Sequence, residues 1–263
     1  MYINHTCTLS PGEVKELTAL TNQCKTYDHL TLSFPSDGDH YWILKDNSQK
    51  VIAYFALCEI HPSLWECYGF TCPDCRENGY FSQLLNQVLD YCEEKGEPDL
   101  VFVTDGQCPQ ALHVLAHLEA VYSHSEYMMR LSFSSPDLPV TLSDDMGLSF
   151  HIEPNFWENH SLKEQEISLC AWPDTKSSRL SPPPITCHLR THGRNVYLFS
   201  LETRPEYRRQ GLTLTFLNRL VQILRRAGYH TLLLQVSGSN QAALKLYQKT
   251  GFQITETLSY YLY

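Results

Sequence analysis

The chain repeats itself. Moved against itself by 132 residues without gaps, it sets Thr71, Pro73, Arg76 and Gly79 on Thr203, Pro205, Arg208 and Gly211. The same shift matches Leu85 and Asn86 to Leu217 and Asn218, and Gly96 and Leu100 to Gly228 and Leu232. It also matches Gly106, Ala111 and Leu112 to Gly238, Ala243 and Leu244, giving 11 identities in the 42 positions Thr71–Leu112. Ordinary composition would give roughly two or three. A repeat of this size is one folding unit copied in tandem. The 263 residues suffice for two ordinary domains. Ser134-Ser135-Pro136-Asp137-Leu138-Pro139 reads as the linker, which divides the chain into 1–135 and 136–263.

Apolar periodicity predicts alternating strands and helices, hence an α/β protein. Ser10-Pro11-Gly12-Glu13 is a helix start, with a Ser N-cap, Pro at the first position and Glu at the third. That helix runs to about Cys24. Strands follow over His40–Leu44, Val51–Ile60 and Leu64–Phe70, then a helix Tyr80–Glu93, a strand Leu100–Val103, a helix Ala111–Glu119 and a closing strand Tyr127–Phe133. The second copy starts less legibly. Leu148–Ile152, Ile167–Ala171 and Ile185–Arg190 read as strands, and Trp172–Pro184 as a loop. Then come a buried strand Val196–Leu201, a helix Leu214–Leu224 with Leu214, Leu217, Val221 and Leu224 on one face, and a strand Leu232–Val236. A basic loop with Arg208, Arg209 and Gly211 joins that strand to that helix. Free backbone N–H groups and the positive end of the helix dipole make such a junction an anion site. A solvated surface turn is the plainer reading of the same residues.

Two motifs in order carry a family resemblance. Arg208-x-x-Gly211-x-Thr213 follows one strand, and Asn240, Ala243, Leu246, Tyr247, Gly251 and Phe252 stand on a pattern that follows the next. Over about residues 196–254 the chain resembles the GNAT superfamily of acyl-CoA-dependent N-acetyltransferases. Its motifs are [Arg/Gln]-x-x-Gly-x-[Gly/Ala] and Asn-x-x-Ala-x-x-Leu-Tyr-x-x-x-Gly-Phe. Thr213 departs from the first, standing where Gly or Ala is usual. The resemblance makes the whole chain two tandem GNAT-like domains. The first is altered where chemistry would sit: Phe81 stands for Thr213, Cys108 for Asn240, Leu115 for Tyr247, and Glu119 and Ala120 for Gly251 and Phe252. The first copy therefore reads as degenerate and mostly structural, with binding of a nucleotide or a part in walling the substrate site left open, and the second as the acetyl-CoA-binding domain; the resemblance gives each a mixed sheet flanked by helices.

The resemblance implies acetyl-CoA as co-substrate and direct transfer of its acetyl group to a primary amine of a small molecule or peptide. The loop Arg208, Arg209, Gln210, Gly211, Leu212 and Thr213 would bind the cofactor, its amides from Arg209 to Thr213 cradling the pyrophosphate, with the pantetheine arm between the splayed fourth and fifth strands. Thr213 either adds a hydroxyl contact or crowds the phosphate. Asn240 would bind the cofactor arm, cap its helix, or do both. Tyr247 is the candidate acid for the leaving thiolate, against the alternative of a core aromatic. Glu202 is the candidate base, directly or through water, unless strand alternation points it to solvent; His188 and His192 are further candidates. The rival reading is a non-catalytic acyl-CoA-binding or interaction module.

Composition excludes other classes. The formal charge of -9 argues against nucleic acid as a partner. No apolar run is long enough for a membrane span, and the first residues lack a secretory pattern, so a cytoplasmic location is expected. The ten cysteines are scattered, with Cys72-Pro-Asp-Cys75 as the one close pair. A zinc site usually takes two such pairs, so reduced thiols and no metal are expected. Nothing in the sequence sets an oligomeric state.

Overall fold

The computed structural model describes residues 1–133, 150–153, 165–173 and 182–263. The linker residues 134–139, the start of the strand expected at Leu148–Ile152 and most of the loop expected at Trp172–Pro184 lie outside the described residues. Two compact units emerge. Unit 1 is Met1–Glu126 with Glu256–Tyr263, and unit 2 is Tyr127–Thr255.

Unit 1 begins with a strand that the sequence pattern did not announce, β1 (Tyr2–Thr6). Helix α1 (Pro11–Asp28) follows, opened by the expected capping box: Ser10 accepts from the Glu13 amide while the Glu13 carboxylate accepts from the Ser10 amide. The helix outruns the expected Cys24 by one turn, until His29 takes a left-handed conformation and ends it. Strands β2 (His40–Lys45), β3 (Val51–His61) and β4 (Leu64–Thr71) form an antiparallel meander. Helix α2 (Tyr80–Glu94), strand β5 (Asp99–Thr104) and helix α3 (Pro109–His117) complete the repeat. Strand β3 is buried on both faces from Val51 to Cys58. Its alternation explains why: Ala53, Phe55 and Leu57 pack with Leu84, Leu85 and Val88 of α2, while Tyr54 and Ala56 pack with Leu17, Leu20 and Cys24 of α1. A strand covered on both sides reads as a continuous apolar run.

Strand β6 (Val121–Ser132) is the expected closing strand of the first repeat. From Tyr127 onward it instead belongs to unit 2, where it neighbours β11 (Thr231–Ser237). Met129, Leu131 and Phe133 enter that unit's core, and the Phe133 amide bonds the His230 carbonyl at 2.9 Å. The last strand, β12 (Gln253–Leu262), makes the reverse exchange. Ser259–Leu262 pairs antiparallel with Thr104–Val101 of β5, and Tyr260 packs in a unit 1 core. Periodicity specifies that a segment is a strand, but not which edge it completes.

The remaining strands of unit 2 are β7 (Phe150–Glu153), β8 (Gln165–Pro173), β9 (Ile185–His192) and β10 (Asn195–Thr203). The order β6-β11-β10-β9-β8-β7 is antiparallel from β10 to β7, with β10 and β11 parallel. Helices α4 (Leu212–Arg226) and α5 (Gln241–Lys249) flank it. The apolar face of α4 is wider than the periodicity showed, because Leu212, Phe216 and Leu220 join Leu217, Val221 and Leu224 in the core. Among the described residues no helix is long and apolar enough to cross a membrane.

Candidate active site

Parallel strands β10 and β11 pair only from Asn195–Thr231 to Leu198–Leu234. Both continue beyond that point, β10 to Thr203 and β11 to Ser237, without pairing to each other. A gap therefore opens between their carboxyl ends, the place where sheets of this kind hold ligands. Strand β10 is also bulged there. Its pairing with β9 passes from Phe199–His188 to Glu202–Thr186, which leaves an extra residue on β10, and Ser200 has φ +51°. A bulge re-aims the side chains around it.

The loop after β10 is built to present amides. A 3-10 turn, Pro205–Tyr207, is followed by Arg209 at φ +60° and Gly211 at φ +77°, the residue that precedes α4. Gly211 bears this left-handed conformation without steric cost, whereas a side chain there costs roughly 1–2 kcal/mol. Left-handed residues interleaved with ordinary ones turn successive N–H groups toward one concavity. Arg208, Arg209, Gln210 and Gly211 are all exposed, while Leu212 is buried and anchors the helix start. Arg208 Nε donates to the Thr203 carbonyl at 2.8 Å, and Gln210 donates to the Glu206 carbonyl at 2.8 Å. Thr213 neither hangs free nor points aimlessly: its hydroxyl lies 2.8 Å from that of Thr203, tying the first turn of α4 to the end of β10. Thr203 is a participant the sequence reading missed, although its identity to Thr71 across the repeat marked it.

Asn240 caps α5, its side-chain oxygen accepting from the Ala243 amide at 3.1 Å. Tyr247 lies on the inward face of α5, 8% exposed, with its ring 5.6 Å from that of Phe252. Burial, and next the nearby Cys187 thiol, push the Tyr247 hydroxyl above the usual tyrosine range, so it keeps its proton at neutral pH. Glu202 is exposed on the bulged end of β10, and no hydrogen bond joins it to Tyr247 among the described residues. His188 faces the bulge from β9: its ring stacks on Phe199 at 5.4 Å, and its Nδ1 lies 2.8 Å from the Ser168 hydroxyl. The structure thus joins the loop residues through Thr203 and sets Tyr247 in the same core as Leu212, while Glu202 stands apart.

Unit 1 has the same loop with different contents. Its 3-10 turn Pro73–Cys75 leads to Glu77 at φ +62° and Gly79 at φ +75°, then α2. Strands β4 and β5 pair from Leu64–Asp99 to Cys67–Phe102 and then part. A cavity of about 610 Å³ lies there, lined by residues including Gly69, Arg76, Phe81, Thr104 and Cys108. Three features separate it from unit 2. The Arg76 guanidinium is spent on Asp28, with bonds of 2.9 and 2.6 Å to a carboxylate only 3% exposed. Phe81 lies against Gly69, where an added Cβ would stand 2.7 Å from the ring. The pairing of β3 with β4 runs unbroken from Ala53–Thr71 to Glu59–Trp65, without a bulge at the equivalent of Ser200.

Comparison with known proteins matches residues 13–118 and 182–252, more than half of the chain, to the model of the acetyltransferase (GNAT) family. The chain belongs to that family. It does so twice, once in each repeat, in agreement with the two-domain α/β fold read from the sequence. Among solved structures, a GCN5-related N-acetyltransferase from Sphaerobacter thermophilus covers 99% of this chain and 95% of its own, at TM-score 0.74 and 13% identity. A tandem GNAT protein from the clavulanic acid biosynthesis pathway covers 100% and 98%, at TM-score 0.66 and 11% identity. At such identities the likeness is one of fold. The [ribosomal protein bS18]-alanine N-acetyltransferase of Escherichia coli K12 is 42% identical over 65 residues, 24% of this chain and 44% of the relative. N-alpha-acetyltransferase 50 of Danio rerio is 35% identical over 69 residues, 26% of this chain and 41% of the relative. The chain thus spans less than half the length of these curated relatives.

Proposed function

We propose that unit 2 transfers an acetyl group from acetyl-CoA to a primary amine in the cytoplasm, with unit 1 as a degenerate, structural copy. The observation that carries this reading is the conjunction at one end of β10: a bulged strand that parts from β11, followed by the left-handed Arg209 and Gly211 before α4. Unit 1 parts its strands too, but has no bulge there, and its loop arginine is neutralised. Amides of Arg209–Thr213 would receive the pyrophosphate, the Arg208 side chain would add a charge-assisted bond, and the strand gap would receive the pantetheine arm. Asn240, already a cap, would have its amide nitrogen left for the arm.

In the reaction the amine nitrogen attacks the acetyl carbonyl, the N–C bond forms and the C–S bond breaks. The nitrogen gives up a proton, through water, to Glu202 or His188. The departing sulfur takes a proton, or a hydrogen bond, from Tyr247, whose raised pKa keeps that proton available. The acceptor class is a small-molecule or peptide amine. The relatives named for alanine N-acetylation and N-alpha-acetylation favour an amine at a peptide terminus.

A second reading makes unit 1 the thioester holder, and its cavity favours it. One pair of variants separates the two, once an amine panel with peptide termini has supplied an acceptor. Arg208→Ala should weaken acetyl-CoA binding roughly ten- to a hundredfold, since a bond to a charged group is worth about 1.5–3 kcal/mol, and leave stability nearly unchanged. Arg76→Ala should leave binding by unit 2 intact but destabilise unit 1 by about 2–3 kcal/mol, because it strands the buried Asp28 carboxylate. Calorimetric titration and urea denaturation check both. Loss of acetyl-CoA affinity in Arg76→Ala alone would transfer the site to unit 1. Tight acetyl-CoA binding without turnover of any amine would leave the non-catalytic module.

A further inference from the structure

Far along the sheet of unit 1 from its cavity, two strands converge three potential metal ligands. Strand β1 runs antiparallel to β2, with His5 opposite Trp42 and Thr6 opposite Tyr41. Side chains alternate in a strand, so His5 projects on the face that also carries His40 and Trp42, and Cys7, the residue that follows β1, brings its thiol to the same spot. His40 Nδ1 lies 3.2 Å from His5 Nε2 and 3.3 Å from Cys7 Sγ. All three donor atoms lie within 4.8 Å of one another.

The other nitrogen of His40 fixes what Nδ1 can do. Nε2 stands 3.0 Å from Glu59 Oε1 and 3.0 Å from the Tyr91 hydroxyl. An ionised carboxylate only accepts, so Nε2 is the donor to Glu59, and in the neutral ring it is Nδ1 that offers the lone pair. That lone pair is aimed at the spot shared by a thiol and a second imidazole nitrogen. His40 is 9% exposed, and its ring is enclosed by Trp42 and Tyr91. His5 is held in place by stacking on Trp42, with 4.2 Å between ring centres and 10° between planes. The two imidazole rings are thus oriented by packing and, for His40, by Glu59, while the exposed Cys7 thiol lies against His40.

Zinc bound tetrahedrally at about 2.0–2.1 Å from nitrogen and about 2.3 Å from sulfur separates two nitrogens by roughly 3.3 Å and a nitrogen from a sulfur by roughly 3.6 Å. The two distances at His40 Nδ1 are within a few tenths of an ångström of these. A carboxylate behind the ligating imidazole is the outer partner that such sites use to fix ring orientation and strengthen the ligand.

We infer that His5, Cys7 and His40 form a zinc site, with Glu59 orienting His40 and a fourth position open to water. Binding replaces the Cys7 thiol proton: the S–H bond breaks, the S–Zn bond forms, and the proton passes to solvent. The site ties edge strand β1 to β2 by metal bonds in addition to their ladder. It is independent of acetyl transfer in unit 2, so neither conclusion depends on the other.

The test uses the full chain. Equilibrium dialysis against micromolar zinc should leave about one ion per chain, and zinc should raise the melting temperature. Titration with cobalt(II), the spectroscopic substitute, should give the visible bands of a tetrahedral ion and a near-ultraviolet thiolate-to-cobalt band. Cys7→Ser should abolish the thiolate band and, because Cys7 is exposed, keep the wild-type melting temperature without metal; His5→Gln should lower zinc affinity and, since it also loses the stack on Trp42, is compared with its own metal-free melting temperature. Glu59→Gln should lower affinity about 10- to 100-fold. Cys72→Ser and Cys75→Ser should change nothing. Absence of zinc binding, a thiolate band that survives Cys7→Ser, or one that is lost in Cys72→Ser or Cys75→Ser would overturn the assignment.

Discussion

Tyr247→Phe is expected to lower kcat by about 10²–10⁴-fold if the hydroxyl acts as general acid, and by less if it only hydrogen-bonds the leaving sulfur. The ring and its contact with Phe252 stay, so the fold and the buried face of α5 survive. The hydroxyl matters chiefly when charge builds on sulfur, so the acetyl-CoA dissociation constant should barely move. The pH profile gives an independent reading. Burial raises the Tyr247 pKa, so the acid form persists through neutral pH and is lost only as pH climbs past the usual tyrosine range. Wild-type kcat should therefore fall on its alkaline limb, and Tyr247→Phe should lose that limb along with most of its rate. Steady-state kinetics with chemistry shown to be rate-limiting checks both. An unchanged kcat would make Tyr247 a core aromatic and nothing more.

What the sequence could show depended on how local each feature is. The strand–loop–helix of unit 2 was legible because its signals are local: a buried run, a glycine where φ must be positive, and an apolar helical face. The capping box of α1 was legible for the same reason. Strand β1 was not, because Tyr2–Thr6 is largely exposed and lacks the alternation of a half-buried strand. The exchange of β6 and β12 was hidden because partner choice is a tertiary matter. The bulge at Ser200 could not be seen either, since an extra residue in one strand shows only against its partner. At the site, residue types pointed to the strand–loop–helix with its left-handed glycine, while roles that need contacts did not emerge. Nothing in the spacing links Thr203 to Thr213, or Asp28 to Arg76 across 48 residues. The cysteine spacing directed attention to Cys72 and Cys75, whereas the His5, Cys7 and His40 donors gather from two strands and no single-segment motif describes them.

Gly211→Glu is expected to abolish acetyl-CoA binding to unit 2. Gly211 sits at φ +77° at the head of α4, where the free amides of the first turn and the helix dipole favour an anion. A carboxylate fixed there would occupy the place the pyrophosphate needs and repel it. The protein should still fold, because the side-chain penalty of a left-handed residue is about 1–2 kcal/mol and a negative charge at the helix start returns about 0.3–1 kcal/mol. Acetyl-CoA at about a hundred times its dissociation constant stabilises its binding state by about 2.7 kcal/mol. At roughly 2–4 °C per kcal/mol, the wild type should then melt about 5–10 °C higher with ligand, and Gly211→Glu should show no shift. Gly211→Asn tests the alternative cause, since Asn tolerates the conformation and adds no charge; it should keep most of the shift. Gly79→Glu places the same charge at the equivalent loop of unit 1, where Arg76 is already held by Asp28. It should leave the shift intact. A shift retained in Gly211→Glu and lost in Gly79→Glu would move the thioester site to unit 1 and its cavity.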